Sequence, residues 1–164
     1  SGENSNAKLL GLNILNDNQH IDNHTVLDHA VPNCESTEIY KGVYAGIAKG
    51  IFDGTIIVRK DAQKTNAIQK NQSLLLSRDA SSNSKPQLKI WADDVKCTHG
   101  ATVGQLDENA LFYLQARGID KQTARSMLVE AFCSDISEAI EASGHDSSTT
   151  TQRFVFLTDS TTAA

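Results

Sequence analysis

The chain has 164 residues, of which 39% are hydrophobic and only 5% aromatic, and it carries a net charge of −5. That suits one modest core with an appendage, and so few large rings point to thin stacked strands filled by Ile, Leu and Val. The acidic balance, unbroken by any Lys/Arg run, excludes the basic patch of a non-specific nucleic-acid binder, and no apolar run approaches the roughly 18 residues of a membrane-spanning helix.

The start, Ser1-Gly2-Glu3-Asn4, has neither an initiator Met nor the character of a signal or transit peptide, and strand-like sequence follows from Lys8. The expectation is an excised C-terminal piece of something longer. From there to His99 the chain offers short β-type runs: Leu9 to Leu15, Thr25 to His29, Glu38 to Ala45, Gly50 to Arg59, Ser73 to Leu76 and Leu88 to His99. Between them lie Asn16-Asp17-Asn18, Pro32-Asn33, Asp53-Gly54 and Ser81-Ser82-Asn83, which supply the positive-φ and Asx-turn positions of tight corners. Alternation is partial, with Leu12 and Ile14 on one face and Leu88, Ile90 and Ala92 on another. Corners without intervening helices suggest a sandwich, a barrel or a solenoid. An irregular parallel β-helix is preferred, because neither a hexapeptide repeat nor the disulfide and Trp of an immunoglobulin sandwich is present.

The character changes at Gly104. Asp107 can cap a helix through Leu111, Phe112 and Leu114 that closes at Gly118, and Asp120 can cap a second with Ala124, Leu128, Ala131, Phe132, Ile136 and Ile140 at helical spacing, down to Ala142. Beyond Ser143 the Ser/Thr-rich tail is expected to be disordered or loosely docked, since it buries too little to offset its ordering entropy. The expected division is a β-helix segment over 1–103, a helical hairpin over 104–142 and a tail over 143–164.

Cys34, Cys97 and Cys133 are odd in number, widely spaced and free of any CxxC, so a reducing compartment is expected. The chemistry concentrates between Asp93 and His99. On a strand, Cys97 and His99 share a face at roughly 6.5–7 Å, and a thiolate with an imidazole suits iron, zinc or copper. Two ligands do not close a site, so a metal reading requires groups from elsewhere or from a partner. On spacing alone the blander account is favoured: Cys97, in phase with Val95, as a small core hydrophobe and His99 as a corner residue. Asp93 and Asp94 read as turn formers, because adjacent strand residues face opposite sides. His20, His24, His29 and Cys34 fit no metal spacing and are expected at exposed or corner positions. Gly42, Gly46, Gly50 and Gly54 are expected at corners, for the stretch lacks the Gly-Lys-Ser/Thr ending of a phosphate loop. No nucleophile elbow, zinc-protease helix or dinucleotide fingerprint occurs, which makes an enzyme the minority reading.

One combination is recognisable: Asp22-Asn23-His24-Thr25, Tyr40-Lys41-Gly42-Val43, Asp61 to Ala67, Asn71 to Ser77, Lys85-Pro86-Gln87-Leu88, Ala92 to Leu106, Leu111-Phe112-Tyr113-Leu114 and Arg117-Gly118-Ile119. Over about residues 1–142 it resembles the C-terminal part of the SufB/SufD family of iron–sulfur cluster assembly proteins, and Ala92 to Gln105 resembles the SufD version. The resemblance implies a right-handed parallel β-helix with a small C-terminal helical domain. It implies a non-catalytic scaffold that pairs with SufB and docks the ATPase SufC, which would hold the ATP site. Leu111, Phe112, Leu114 and Arg117 would then serve the ATPase contact. Cys97 and His99 would lie at the SufB interface, with His99 helping to receive a nascent cluster and Cys97 the weaker ligand. Asn71 stands where SufB has its scaffold cysteine, so this chain would bind no cofactor stably and would meet an iron–sulfur cluster only transiently, within the complex. The resemblance further implies a bacterial cytoplasmic or plastid setting and a possible homodimer in isolation. Two other classes stay open, a β-helix enzyme acting on carbohydrate, which needs carboxylates stacked along one groove, and a structural module that self-associates through exposed strand edges.

Overall fold

In a computed structural model that describes residues 2–142, the chain winds into a parallel β-solenoid of seven ten-residue strands. These are β1 (Asn6–Leu15), β2 (His20–His29), β3 (Glu35–Tyr44), β4 (Lys49–Val58), β5 (Asn66–Leu75), β6 (Ser81–Ile90) and β7 (Lys96–Gln105). Odd strands form one sheet in the order β1-β3-β5-β7, and even strands a second in the order β2-β4-β6. Asn6 aligns with Glu35, Glu35 with Asn66 and Asn66 with Lys96, so each coil lies in register on the one before.

The Asn/Asp-rich punctuation does the turning. Asp17, Asn33, Gly46 and Lys64 adopt φ of 53°, 60°, 62° and 63°, one left-handed residue in each of four successive corners. The corners also stack: Ile47 N–H donates to Asp17 O (2.8 Å), Asn33 N–H to Gln63 O (2.9 Å) and Lys64 N–H to Asp94 O (2.7 Å). The corner expected at Asp93-Asp94 falls between the end of β6 and the start of β7 and divides the run from Leu88 to His99. The change of apolar phase there, from Leu88 and Ile90 to Val95 and Cys97, is its trace in the sequence.

Inside, Ile56, Val58, Ala62, Ala67 and Ala92 make one apolar cluster. Much of the remaining lumen is polar, with Ser36, Glu38, Gln69, Asn71 and Ser73 all buried. Of the four glycines expected at corners, only Gly46 occupies one. Gly42, Gly50 and Gly54 lie within strands, Gly50 as the second residue of β4, where a Cβ on Gly42 or Gly50 would overlap the Tyr44 ring and one on Gly54 would meet Gln69 Nε2. The thin lumen admits large side chains only where the opposing wall has none.

β7 runs through Gly104 to Gln105, one residue beyond the expected change of character, and α1 (Glu108–Ala116) follows. Asp107 Oδ1 accepts from Asn109 N–H (2.9 Å), Gly118 closes the hairpin turn at φ 88°, and Asp120 Oδ1 accepts from Thr123 N–H (3.0 Å) ahead of α2 (Lys121–Ala142). The buried seam of α2 is Ala124, Val129, Cys133 and Ile136. Leu128 is half-buried and Ala131 exposed, so the seam is rotated by one residue from the expected stripe. The reason is its partner: Val129 and Cys133 pack with Ile14, Val43 and Leu74 on the outer face of the four-stranded sheet. Lys41, which shares that face, donates to Phe132 O and to Asp135 Oδ1, each at 2.7 Å, and lies over the Phe132 ring. The hairpin is thus fastened along the wall of the solenoid. The Ser/Thr-rich tail lies outside the described residues.

Candidate functional site

The corner before β7 aims the Asp93–His99 stretch. Asp94 pairs with Lys64, and Asp94 N–H donates to Gln63 Oε1 (3.0 Å), which fixes both aspartates in the turn. The pleat then sends Cys97 and His99 to the lumen side, in register with Ala67 and Gln69. They share one face, as their spacing requires. Their surroundings differ because β7 is the last strand among the described residues and has, among them, a neighbour only in β5, so its lumen side is largely open.

Cys97 is half-buried against the apolar cluster of Ile56, Val58, Ala67 and Ala92, and burial pushes its thiol up. In the free chain it therefore packs as a small hydrophobe. His99 is exposed. Among the described residues no three His, Cys, Asp or Glu side chains converge on one point, so Cys97 and His99 offer two ligands and no more.

Behind His99 the structure adds residues that sequence reasoning missed. Glu38, Gln69 and His99 stand side by side on β3, β5 and β7. Glu38 and Gln69 are completely buried, and Gln69 Nε2 donates to Glu38 Oε2 at 2.7 Å. Among the described residues, Glu38 Oε1 and Gln69 Oε1 have no hydrogen-bond partner. The available signal was one polar residue per coil, 31 residues from Glu38 to Gln69 and 30 from Gln69 to His99, legible once the coil length is known. Asn71 is likewise buried in the lumen, between Tyr40 and Ala101 in the ladder.

The second histidine group separates. His20 and His24 are exposed, with His24 Nε2 3.0 Å from Asp22 Oδ1, and Cys34 is buried at a corner with its thiol against Gly2 O and Pro32 O. His29 departs from the expectation of an exposed or corner residue, being buried with Nε2 2.9 Å from Ser36 Oγ. Desolvation lowers its pKa from the usual 6.5, against a smaller opposing pull from Asp28. Below about pH 6.5 the unfolded chain therefore binds the proton more readily, so stability is full above that value and falls as pH drops toward the folded pKa. The urea midpoint is expected to fall between pH 7.5 and pH 5, by less in His29→Gln. An equal fall in both proteins would remove His29 as the cause.

On the hairpin, Leu111 is only 3% exposed and holds α1 down, whereas Phe112 and Tyr113 are 73% and 57% exposed. Leu114 is half-buried, and the exposed Arg117 guanidinium lies 4.6 Å from the centre of the Tyr113 ring. Tyr113 and the exposed Met127 extend the apolar surface beyond the residues singled out by sequence. The described strands hold no carboxylate ladder of the kind a glycosidase groove requires: Asp22 aligns with Ile51, and Asp53 with His24 and Lys85.

Comparison with known proteins agrees with this geometry. The family described as "SUF system FeS cluster assembly, SufBD core domain" matches residues 1–132. The iron–sulfur cluster assembly protein SufD of Escherichia coli (strain K12) is 39% identical over 144 residues, which cover 88% of this chain and 34% of that protein. Protein ABCI7, chloroplastic, of Arabidopsis thaliana is 46% identical over 123 residues, 73% of this chain and 26% of that protein. A SufBD family protein of Mycobacterium leprae is 34% identical over 148 residues, 85% of this chain and 38% of that protein. The chain thus spans about a third of the length of these relatives.

Proposed function

This chain belongs to the SufBD family of the SUF iron–sulfur cluster assembly system, and from that premise we propose that it is a non-catalytic scaffold subunit, one half of a cluster-receiving interface. The observation that carries the reading is β7: a strand whose outer edge no other described strand pairs with, presenting Cys97 and His99 toward the lumen at its open side. An unpaired edge takes another strand readily, and a second solenoid of the same family, SufB, would supply both the strand and the missing ligands. His99 is the principal ligand of the pair. It is accessible and needs no repacking, whereas Cys97 must leave an apolar cluster and lose its proton. The cluster is cargo, held transiently between the two chains.

The exposed Phe112–Tyr113 face is the dock for the ATPase SufC, with Arg117 at its side and Leu114 partly beneath it. Leu111, being buried, supports that surface from below. Nucleotide turnover in the ATPase would bias one arrangement of the interface over another, acting through a hairpin tied to the sheet by Lys41. A bacterial cytoplasm or a plastid is the corresponding setting, in line with a relative from Escherichia coli and a chloroplastic one.

The same free edge supports a second reading, pairing of β7 with β7 of another copy. Mixing the chain with a SufB-type subunit and the ATPase is expected to give a three-component species in size-exclusion chromatography that retains iron and sulfide after reconstitution. No association with either protein would overturn the proposal, and a dimer of this chain that excludes the SufB-type subunit would select self-pairing.

A further inference from the structure

The buried pair behind His99 has a directional property. A carboxylate oxygen only accepts, so the group that Gln69 turns toward Glu38 is its NH2. The oxygen and nitrogen of a primary amide diverge from the same carbon. With its nitrogen held by Glu38 of β3 and beside Gly54 of β4, Gln69 leaves its oxygen for a neighbour other than Glu38, and His99 is its in-register neighbour on β7. That oxygen is buried and unpartnered, on a side chain with no exposed surface. In-register side chains on neighbouring strands sit about 4.8 Å apart, within reach of an imidazole N–H when the ring turns inward. Leaving such an acceptor unsatisfied is unfavourable, which favours the inward turn.

We propose that Gln69, oriented by Glu38, is a positioning residue for His99: its Oε1 accepts one ring N–H of the imidazole and thereby leaves the other ring nitrogen unprotonated and directed to the open side of β7. Fixing the tautomer in this way is what an outer-shell partner does for a ligating histidine. Glu38 and Gln69 touch neither iron nor sulfide. The local apolar cluster of Cys97 needs neither of them, so a lumen serving stability alone could have filled these two positions with aliphatic side chains.

The inference rests on reading His99 as a ligand, yet its test does not pass through cluster assembly. In the full chain with 15N-labelled histidine, above the titration range of imidazole, His99 is expected to show one nitrogen at a pyrrole-type and the other at a pyridine-type chemical shift. Glu38→Gln frees Gln69 to present either end, and should draw the two resonances toward each other. Gln69→Met leaves Glu38 buried without its partner and costs stability, so the double variant Glu38→Met/Gln69→Met, which removes both polar groups, keeps the measurement possible in a folded chain. There the two resonances should average to those of a free histidine peptide. Identical His99 spectra in the wild type and the double variant would overturn the proposal. If the resonances shift as expected while His99→Ala leaves cluster content unchanged, the ligand reading has failed and the positioning contact stands.

Discussion

His99→Ala is expected to lower the iron and sulfide retained by the reconstituted complex by about tenfold or more, since loss of even an outer-shell partner commonly costs 10–100-fold in metal affinity. Folding and complex formation should be unaffected, because the side chain is exposed and makes no contact on which a core cluster depends. Cys97→Ala should have a smaller effect on cluster content. Its sulfur is half-buried among aliphatic side chains, and burial keeps the thiol protonated further into the alkaline range than usual. Cluster content, thermal midpoint and elution volume of the three-component complex would be read side by side. Wild-type iron and sulfide in the His99→Ala complex would remove His99 from the site, and an equal loss with Cys97→Ala would make the two residues joint ligands.

How far the sequence could be read depends on which interactions are local. Corners were legible because a left-handed residue needs no partner: Asp17, Asn33 and Gly46 announce themselves by type. Lys64 does not. It adopts φ 63° only because the next corner stacks on it, through Asp94 O and the Asp94 carboxylate. Helix caps were legible for the same reason as the corners, since Asp107 and Asp120 bond within their own first turns. The α2 seam was not, because Val129 and Cys133 are chosen by the outer face of a sheet built from residues far back in the chain. Gly42 and Gly50 look like corner residues until Tyr44 is seen to fill the lumen beside them.

The candidate site shows the same division. That Cys97 and His99 face one way follows from the pleat alone. That one packs and the other is exposed follows from β7 being the last strand, which periodicity cannot reveal. Glu38 and Gln69 were invisible for want of the coil interval. In isolation a Glu in a strand-like run reads as a solvated residue, and here it is completely buried.

The hairpin yields the second large effect. Phe112→Asp is expected to weaken binding of the ATPase by about 2 kcal/mol or more, roughly thirtyfold in Kd, because interface energy concentrates in a few aromatic anchors. The competing role, a hairpin that merely seals the solenoid, makes a different demand on the same residue. The hairpin's contact with the solenoid is made by the face that carries Val129 and Cys133, with Lys41 bound to Phe132 O and Asp135. Phe112, at 73% exposure, contributes little to it. Phe112→Asp should therefore leave helix content and thermal midpoint close to wild type, whereas Leu111→Asp, which buries a charge under α1, should disturb both. Calorimetric titration of the ATPase into each variant, with circular dichroism alongside, separates the roles. A folded Phe112→Asp chain that binds with wild-type affinity would move the contact off this helix, and the free edge of β7 would then be the remaining surface through which nucleotide turnover could act on His99.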